Sequence, residues 1–209
     1  MYEIKDKQII LASESATRKT MLQNANIRFI SQPAHIDEEA ITQGAISEGV
    51  SLSDCVILLA DMKGKRVALA NPTTFIIASD QLLELDGRCF SKPNTLDKAK
   101  AQLSELQGKT HKLHTSVVVF LDGQRIWHHL SSPIVTLRSL SESEIDDYLD
   151  ETGNSALKTP ASYQIESLGC HIISQFSGTF YDILGLPLLP LLGFMRLHGL
   201  SRISETTAQ

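Results

Sequence analysis

The chain has 209 residues and a mass of 23.0 kDa, which suits one domain, and 42% of its residues are hydrophobic, as in ordinary globular proteins. Its 19 basic and 24 acidic residues give a net charge of −5, which argues against sequence-independent DNA binding, since that requires a basic face. Cys55, Cys89 and Cys170 are widely spaced and odd in number, which argues against a disulfide framework or a Cys-type zinc site and favours a reducing compartment.

Hydropathy along the chain gives no sign of a membrane segment. The longest apolar run, 183–195, is too short and too interrupted by Gly185, Pro187, Pro190 and Gly193 to span a bilayer. The first residues mix charged and apolar side chains and lack the apolar core of a signal peptide. We therefore expect a soluble cytoplasmic protein with no nucleic-acid or membrane partner. We expect one domain over residues 1–200 and a flexible tail over residues 201–209.

Short apolar runs bounded by turn residues predict the strands. They cover Gln8–Ala12, Phe75–Ser79, Leu82–Leu85, Ser116–Phe120, Pro133–Leu137 and His171–Phe176. Asp122-Gly123 stands between two such runs, which is typical of a β-hairpin turn.

Helical periodicity and capping residues fill the intervals between the strands. The helices begin near Ala16, Val56, Leu96 and Glu142 and, with prolines in its first turn, near Pro187. The second of these helices presents Lys63 near its end, and Ser141 and Glu144 form a capping box. Because strands and helices alternate while one hairpin is antiparallel, the pattern predicts an α/β fold with a mixed sheet.

The junction between the first strand and the first helix offers groups that bind anions. Ser13 and Ser15 lie where a helix N-terminus exposes backbone N–H groups, and Arg18 follows on the first turn. Free amides, hydroxyls and a guanidinium together bind phosphate oxygens. The alternative is that a serine caps the helix and Arg18 faces water.

Acidic residues occur at two further places. Asp37, Glu38 and Glu39 are adjacent at an expected loop, where they either hold a hard cation or form a solvated surface. Asp80 and Gln81 follow a core-like strand, and the strand ends of open α/β sheets often bind ligands. Asp80 could ligate Mg²⁺ or activate a water, or it could serve only as a turn residue.

Lys92 and Glu166 complete the set of candidates. Lys92 precedes Pro93 in a turn, where it either reaches a phosphate or is an ordinary surface lysine. Glu166 lies on a strand-like segment; if buried, its carboxylate needs a partner or a metal, and otherwise it faces water. Taken alone, these residues are compatible with metal-assisted phosphate chemistry.

Taken in order, the segments resemble motifs of the Maf family of nucleoside triphosphate pyrophosphatases. The matching segments are LASESATRKTMLQ with its S-x-x-R, HIDEE, LADMKGKRVA, IIASDQLLELDGRCFSKP, LQGKTHKLHTSV, SYQIESLG and ILGLPLLPLL. The resemblance extends from about Ile9 to Leu200. It implies a Maf/ITPase-like α/β fold, in which a long twisted mixed sheet carries α/β lobes on either side of a nucleotide cleft.

The resemblance also implies a set of roles. Arg18, Lys63 and Lys92 would contact the triphosphate, while Glu38, Asp80 and Glu166 would surround a Mg²⁺ or Mn²⁺ ion and the attacking water. Asp80 would be the general base, with metal ligation as its alternative role. Ser13, Ser15 and Gln81 would also bind substrate. Asp80, Glu38, Lys92 and Glu166 would thus form the catalytic set that releases a monophosphate and pyrophosphate.

The substrate follows from the same resemblance. Gln81 after Asp80, together with Glu166, resembles the branch of the family that acts on 7-methyl-GTP, whereas the other branch prefers dTTP and UTP. The competing hypotheses are a nucleotide-binding regulator of cell division with little turnover and a general metal-dependent phosphohydrolase. Members of the family are often homodimers, so a homodimer is a further expectation.

Overall fold

The computed structural model describes residues 8–199, so the expected tail over 201–209 lies outside the described residues. The strands in this range are β1 (Ile9–Leu11), β2 (Ile30–Ser31), β3 (Phe75–Leu85), β4 (Arg88–Phe90), β5 (Thr110–Leu121), β6 (Gln124–Ser131), β7 (Ile134–Leu137) and β8 (Ile173–Ser177). The α-helices are α1 (Ala16–Asn24), α2 (Glu38–Ser47), α3 (Leu52–Ala70), α4 (Leu96–Leu106), α5 (Glu142–Thr152), α6 (Phe180–Ile183) and α7 (Leu188–Leu197). Two 3₁₀ helices cover Gly153–Lys158 and Leu168–His171.

The strands form one mixed sheet in the order β2-β1-β3-β5-β7-β8, with β4 paired to β3 and β6 paired to β5. β1 is parallel to both β2 and β3, while β3 and β5 are antiparallel. The predicted α/β fold with a mixed sheet is therefore confirmed. The β5–β6 hairpin turns at Asp122 and Gly123, both at positive φ (51° and 75°), as a tight hairpin turn requires.

β3 and β5 form the long centre of the sheet. Nine consecutive residues of β3, from Ile76 to Glu84, pair with residues of β5. The prediction of two separate strands, Phe75–Ser79 and Leu82–Leu85, was wrong because the polar residues between them continue the ladder. The predicted end of a strand at Asp80 is therefore the middle of one.

Alternate residues of β3 pack into different cores. Phe75 and Ile77 join a cluster with residues of α1 and α7, whereas Ile76 and Ala78 pack with residues of α3. Farther along the strand, Leu83 is fully buried in a separate core with α4 and α5. Burying each such large side chain contributes about 1.5–3 kcal/mol to stability. We call the part of the protein around α1, α3 and α7 one lobe and the part around α4 and α5 the other. β3 passes from the first lobe to the second and carries its polar middle between them.

Capping residues fix several helices where the sequence predicts them. Thr95 caps α4, and Ser141 with Glu144 forms the predicted capping box of α5. The last helix begins directly after Pro187 and ends at Leu197, as predicted. Among residues 8–199, no helix is both long and apolar enough to cross a membrane.

Three local predictions were wrong. Glu38 and Glu39 lie in the first turn of α2 rather than in a loop, because Asp37 accepts a hydrogen bond from the Ala40 amide (3.0 Å) and caps the helix. Lys63 lies in the middle of the 19-residue α3, not near its end. Glu166 lies in a turn before the second 3₁₀ helix, not on a strand.

Candidate active site

A cleft of about 810 Å³ opens between the lobes, beside the middle of β3. It is walled by the β1–α1 junction, the start of α2, the centre of α3 and the segments around residues 90–92 and 158–164. Its lining carries equal numbers of basic and acidic side chains: Arg18, Lys63, Lys92, Lys158, Glu14, Glu38, Glu39 and Asp80. A second cavity, beside Tyr148, holds only about 110 Å³ and is too small for a nucleotide.

The β1–α1 junction places two serines and an arginine on one wall. The Ser15 hydroxyl caps α1 by accepting a hydrogen bond from the Arg18 amide at 3.3 Å, and the Ser13 hydroxyl accepts one from the Ser15 amide at 3.2 Å. Side-chain capping satisfies amides that a helix start leaves without partners. Ser15 therefore caps the helix, as the alternative interpretation of the sequence expected. Arg18, however, does not face water as that interpretation also expected.

The Arg18 side chain is 9% exposed and fixed at two points. Its Nε donates to the Gly185 carbonyl at 2.7 Å, and Nη1 donates to the Ser13 hydroxyl at 3.3 Å. Burial lowers the pKa of Arg18, while the charges of Asp80 and Glu38 oppose that shift. In the part of the chain that the structure describes, these two bonds leave three of its five N–H donors for a ligand in the cleft.

Lys63 connects the two carboxylates of the site. Its Nζ lies 2.7 Å from Oε1 of Glu38 and 2.7 Å from Oδ2 of Asp80. The side chains of Lys63 and Asp80 are about nine-tenths buried, whereas that of Glu38 is 46% exposed. A buried carboxylate needs such a partner because desolvation of an unpaired charge is costly.

The donor set of Glu38 and Asp80 fits a hard divalent cation bound together with substrate phosphates. Mg²⁺ usually takes one or two carboxylates and completes its coordination with phosphate oxygens and water. Asp80 Oδ2 has no partner that meets hydrogen-bond geometry within residues 8–199, although the Lys63 ammonium is close, so a lone pair is available.

The expected three-carboxylate ligand set is not assembled. Among residues 8–199, no group of three or more His, Cys, Asp or Glu side chains is placed to hold a metal. Glu166 instead accepts a hydrogen bond from the Thr17 hydroxyl at 3.2 Å on the exposed face of α1. The turn that contains Glu166 directs its side chain toward this helix. Of the three expected carboxylates, the structure brings Glu38 and Asp80 together through Lys63.

Gln81 and its neighbours bind the chain segment 182–185. The Gln81 Nε2 donates to the Thr115 hydroxyl at 2.8 Å and to the carbonyls of Asp182 and Ile183 at 3.0 and 3.1 Å. The Thr115 hydroxyl donates to the Asp182 carbonyl as well, at 3.0 Å. Gln81 also lines the cleft, but its amide nitrogen is committed to protein partners.

The opposite part of the cleft is more open. Lys92 is exposed in the loop after β4 and lines the cleft, as do Lys158 and Gln164 from the segment before Glu166. The cleft therefore collects Ser13, Ser15, Arg18, Glu38, Lys63, Asp80, Gln81 and Lys92, and it leaves Glu166 out of its lining.

The sequence patterns do not indicate two groups that line the cleft, the Gly185 carbonyl and Lys158, nor the contacts of the buried Ser79. The Gly185 carbonyl escaped notice because a backbone acceptor has no residue signature, although Gly185 stands in the ILGLP segment that was matched. Lys158 lies on a 3₁₀ helix that no periodicity revealed. The sequence predicts Ser79 only as a strand residue, yet its buried hydroxyl donates to backbone carbonyls.

Comparison with known proteins gives one consistent result. The sequence model of the family described as "Maf-like protein" matches residues 8–198. The chain is 42% identical to the "Nucleoside triphosphate pyrophosphatase" of Rhodospirillum rubrum, over 91% of this chain and 95% of that protein. It is 39% identical to the protein of the same name from Granulibacter bethesdensis, over 91% and 97% of the two chains. It is 36% identical to "Nucleoside triphosphate pyrophosphatase 1" of a Jannaschia species, over 92% and 98%.

Proposed function

The chain belongs to the Maf-like protein family, and on that premise we propose that it is a nucleoside triphosphate pyrophosphatase, a hydrolase acting on acid anhydrides. The observation that carries the proposal is the cleft between the lobes, where the buried Asp80 carboxylate pairs with Lys63 and shares the lining with Arg18 and Lys92. Cations of this kind bind a polyphosphate, and a buried carboxylate can accept a proton from water.

The charges of the cleft match a triphosphate that arrives with a metal ion. Its lining carries four basic and four acidic side chains, so the protein alone supplies little net attraction for a ligand of charge about −4. A divalent cation against Glu38 and Asp80 would offset that charge and leave Arg18 and Lys92 to hold the phosphates. We therefore propose that turnover depends on Mg²⁺ or Mn²⁺, held by Glu38, with Asp80 as the general base and metal ligation as its alternative role.

The reaction breaks the bond between the α-phosphorus and the oxygen that bridges to the β-phosphate. Asp80 takes a proton from the attacking water, the new P–O bond completes the monophosphate, and the bridging oxygen leaves with pyrophosphate. Arg18 and Lys92 face the negative charge that develops on the leaving group, which is where fixed cations lower the barrier most. Lys63 holds the Asp80 and Glu38 carboxylates in place. When bound, the divalent cation supplies Lewis-acid polarisation of the phosphoryl oxygens.

We propose 7-methyl-GTP as the preferred substrate, with dTTP and UTP as the alternative. The support is the sequence Asp80-Gln81, together with Glu166 where the other branch carries a different residue. In the structure, Gln81 contacts the 182–185 segment, and Glu166 contacts Thr17 on α1.

Three further expectations accompany this proposal. We propose that residues 1–200 act as one catalytic domain, because β3 and β5 pass through both lobes. We propose a cytoplasmic location, since the thiols of Cys55, Cys89 and Cys170 are free in the structure, as a reducing compartment favours. A homodimer stays a prediction.

Product analysis tests the function directly. Purified protein with Mg²⁺ or Mn²⁺ is incubated with 7-methyl-GTP, the canonical nucleoside triphosphates and a panel of sugar phosphates, and each product is quantified. We expect equal amounts of nucleoside monophosphate and pyrophosphate, with 7-methyl-GTP hydrolysed fastest. Release of inorganic phosphate would contradict the proposal and indicate a general phosphohydrolase. Tight nucleotide binding without any product would instead favour the regulator.

A further inference from the structure

Ser79 precedes Asp80 on β3, and its side chain lies on the opposite face of the strand because successive strand residues alternate. It is fully buried. Its hydroxyl lies 2.7 Å from the Ser116 carbonyl and 2.8 Å from the Gly185 carbonyl. A serine hydroxyl has a single proton to donate, so these two acceptors share it.

The Gly185 carbonyl oxygen accepts two hydrogen bonds. It accepts from the Ser79 hydroxyl and from Nε of Arg18, the latter at 2.7 Å. The segment that carries this carbonyl is fixed by Gln81, which stands two residues after Ser79 on the same face of β3. One face of β3 therefore determines where the acceptor for Arg18 lies, while the other face carries Asp80.

We infer that Ser79 is a positioning residue, which orients the Arg18 guanidinium toward the polyphosphate by holding the Gly185 carbonyl. The inference rests on the proposed function for its effect on turnover, but the contact between Ser79, Gly185 and Arg18 stands without it. Ser79 touches no ligand itself, since the Arg18 guanidinium contacts the cleft and Ser79 is enclosed in protein.

Geometry explains why a single hydroxyl matters here. The Arg18 guanidinium is held by two hydrogen bonds, one at Nε and one at Nη1. If the Gly185 carbonyl becomes mobile, the bond at Nε weakens and only the bond at Nη1 still fixes the side chain among the described residues. Gly185 has a φ of +92°, which glycine adopts without a steric penalty, so the local backbone alone does not fix the direction of its carbonyl. Without the Ser79 proton, the bond from Arg18 is the one that this carbonyl keeps among the residues that the structure describes.

The neighbouring strand offers a matched control. Ser116 is also fully buried, but its hydroxyl has no hydrogen-bond partner within the described range 8–199. Its backbone carbonyl, which accepts from Ser79, is unchanged in Ser116→Ala. Comparing Ser79→Ala with Ser116→Ala therefore separates the loss of a positioning bond from the loss of a buried hydroxyl.

The first test observes Arg18 without any substrate. In ¹⁵N-labelled protein, the exchange rate of the Arg18 Nε–H with water is measured by NMR for wild type, Ser79→Ala and Ser116→Ala. We expect exchange to accelerate about tenfold in Ser79→Ala, as one weakened hydrogen bond allows, and to be unchanged in Ser116→Ala. An unchanged rate in Ser79→Ala overturns the inference, whether or not the melting temperature of that variant falls.

The second test is a double-mutant cycle with Arg18→Lys, read as kcat/KM for the nucleotide found in the product screen. We expect Ser79→Ala to lower kcat/KM about tenfold in the wild-type background and less than about twofold beside Arg18→Lys, because coupled residues are not additive. Equal factors in both backgrounds overturn the inference and indicate a purely structural role. If wild type hydrolyses no nucleotide, the proposed function fails, and the NMR exchange alone decides the role of Ser79.

Discussion

The Lys63 ammonium lies 2.7 Å from Oδ2 of Asp80, with both side chains about nine-tenths buried. The same ammonium contacts Glu38, so a cation of the protein itself stands between the two carboxylates that we expect to hold a metal. Lys63 thereby stabilises a pair of like charges that would otherwise repel. This arrangement leads to the first prediction.

Lys63→Met removes the cation between Glu38 and Asp80, and we expect it to lower the free energy of unfolding on the order of 3 kcal/mol, because it leaves a buried carboxylate unpaired. Added Mg²⁺ should then raise the melting temperature of the variant more than that of wild type, since binding to the folded state alone stabilises it. Thermal unfolding with and without Mg²⁺ checks both effects. Lys65→Met, at an exposed position of the same helix, should change neither.

Asp80→Asn removes the proposed proton acceptor while keeping the size of the side chain. We expect kcat to fall about 10²–10⁴-fold, the usual contribution of general base catalysis, while nucleotide binding is retained. Steady-state kinetics and calorimetry with the same nucleotide measure the two quantities. Asp86→Asn, in the turn after β3, serves as the control and should behave as wild type. A kcat within tenfold of wild type in Asp80→Asn would exclude Asp80 as the base.

Gly185→Ala tests the contact between the 182–185 segment and Arg18. A Cβ at this position would lie 3.4 Å from Arg18 Nη2, in addition to the strain of a positive φ. Gly49 has a similar φ of +79° but open space around its Cβ, so Gly49→Ala carries the strain alone. We expect both variants to lose stability and only Gly185→Ala to raise KM for the nucleotide. A normal KM in Gly185→Ala would argue against any role of this contact in binding.

His111 gives a prediction for the dependence of stability on pH. The side chain is 2% exposed and bonded to the Tyr163 hydroxyl at 2.7 Å, and burial lowers its pKa to about 4. Between pH 4 and the unfolded value near 6.5, the unfolded state binds more protons, so stability rises with pH across this window and falls as the solution is acidified.

Most of this dependence of stability on pH should disappear when His111 is replaced. We expect His111→Gln to lose most of the stability change between pH 6.5 and 4 that wild type shows, a change on the order of 2–3 kcal/mol. Denaturant unfolding at several pH values measures it. His35→Gln replaces a histidine whose side chain is 74% exposed and should keep the wild-type slope. An equal slope in His111→Gln would assign the pH dependence to other groups.

The sequence predicts much of this fold because the signals are local. Ser141 and Glu144 are capping residues whose effect extends only over one helical turn, and they form the predicted capping box. The hairpin at Asp122 follows from the positive φ that its turn demands. Strand ends are harder: Asp80 and Gln81 look like a break between strands, yet pairing with Ser116 and Thr115 continues through them.

The sequence indicates which residues line the candidate site better than it indicates how their side chains contact one another. The order of motifs indicates Arg18, Lys63 and Asp80, but no pattern in the sequence shows that Lys63 lies between the carboxylates of Glu38 and Asp80. Glu166 shows the limit, since its direction depends on a turn whose geometry is set by long-range packing. Contacts to backbone carbonyls such as that of Gly185 are equally invisible, because any residue can supply the acceptor.

The continuous pairing of β3 with β5 has a mechanical consequence. A hinge between the lobes would have to shear a ladder that crosses the cleft without interruption, and close-packed sheets resist such deformation. The segments around residues 90–92 and 158–164 also line the cleft, and they take no part in this ladder. Substitutions in these two segments can therefore change which substrates such an enzyme accepts, while the positions of the reacting groups on β3 stay constant.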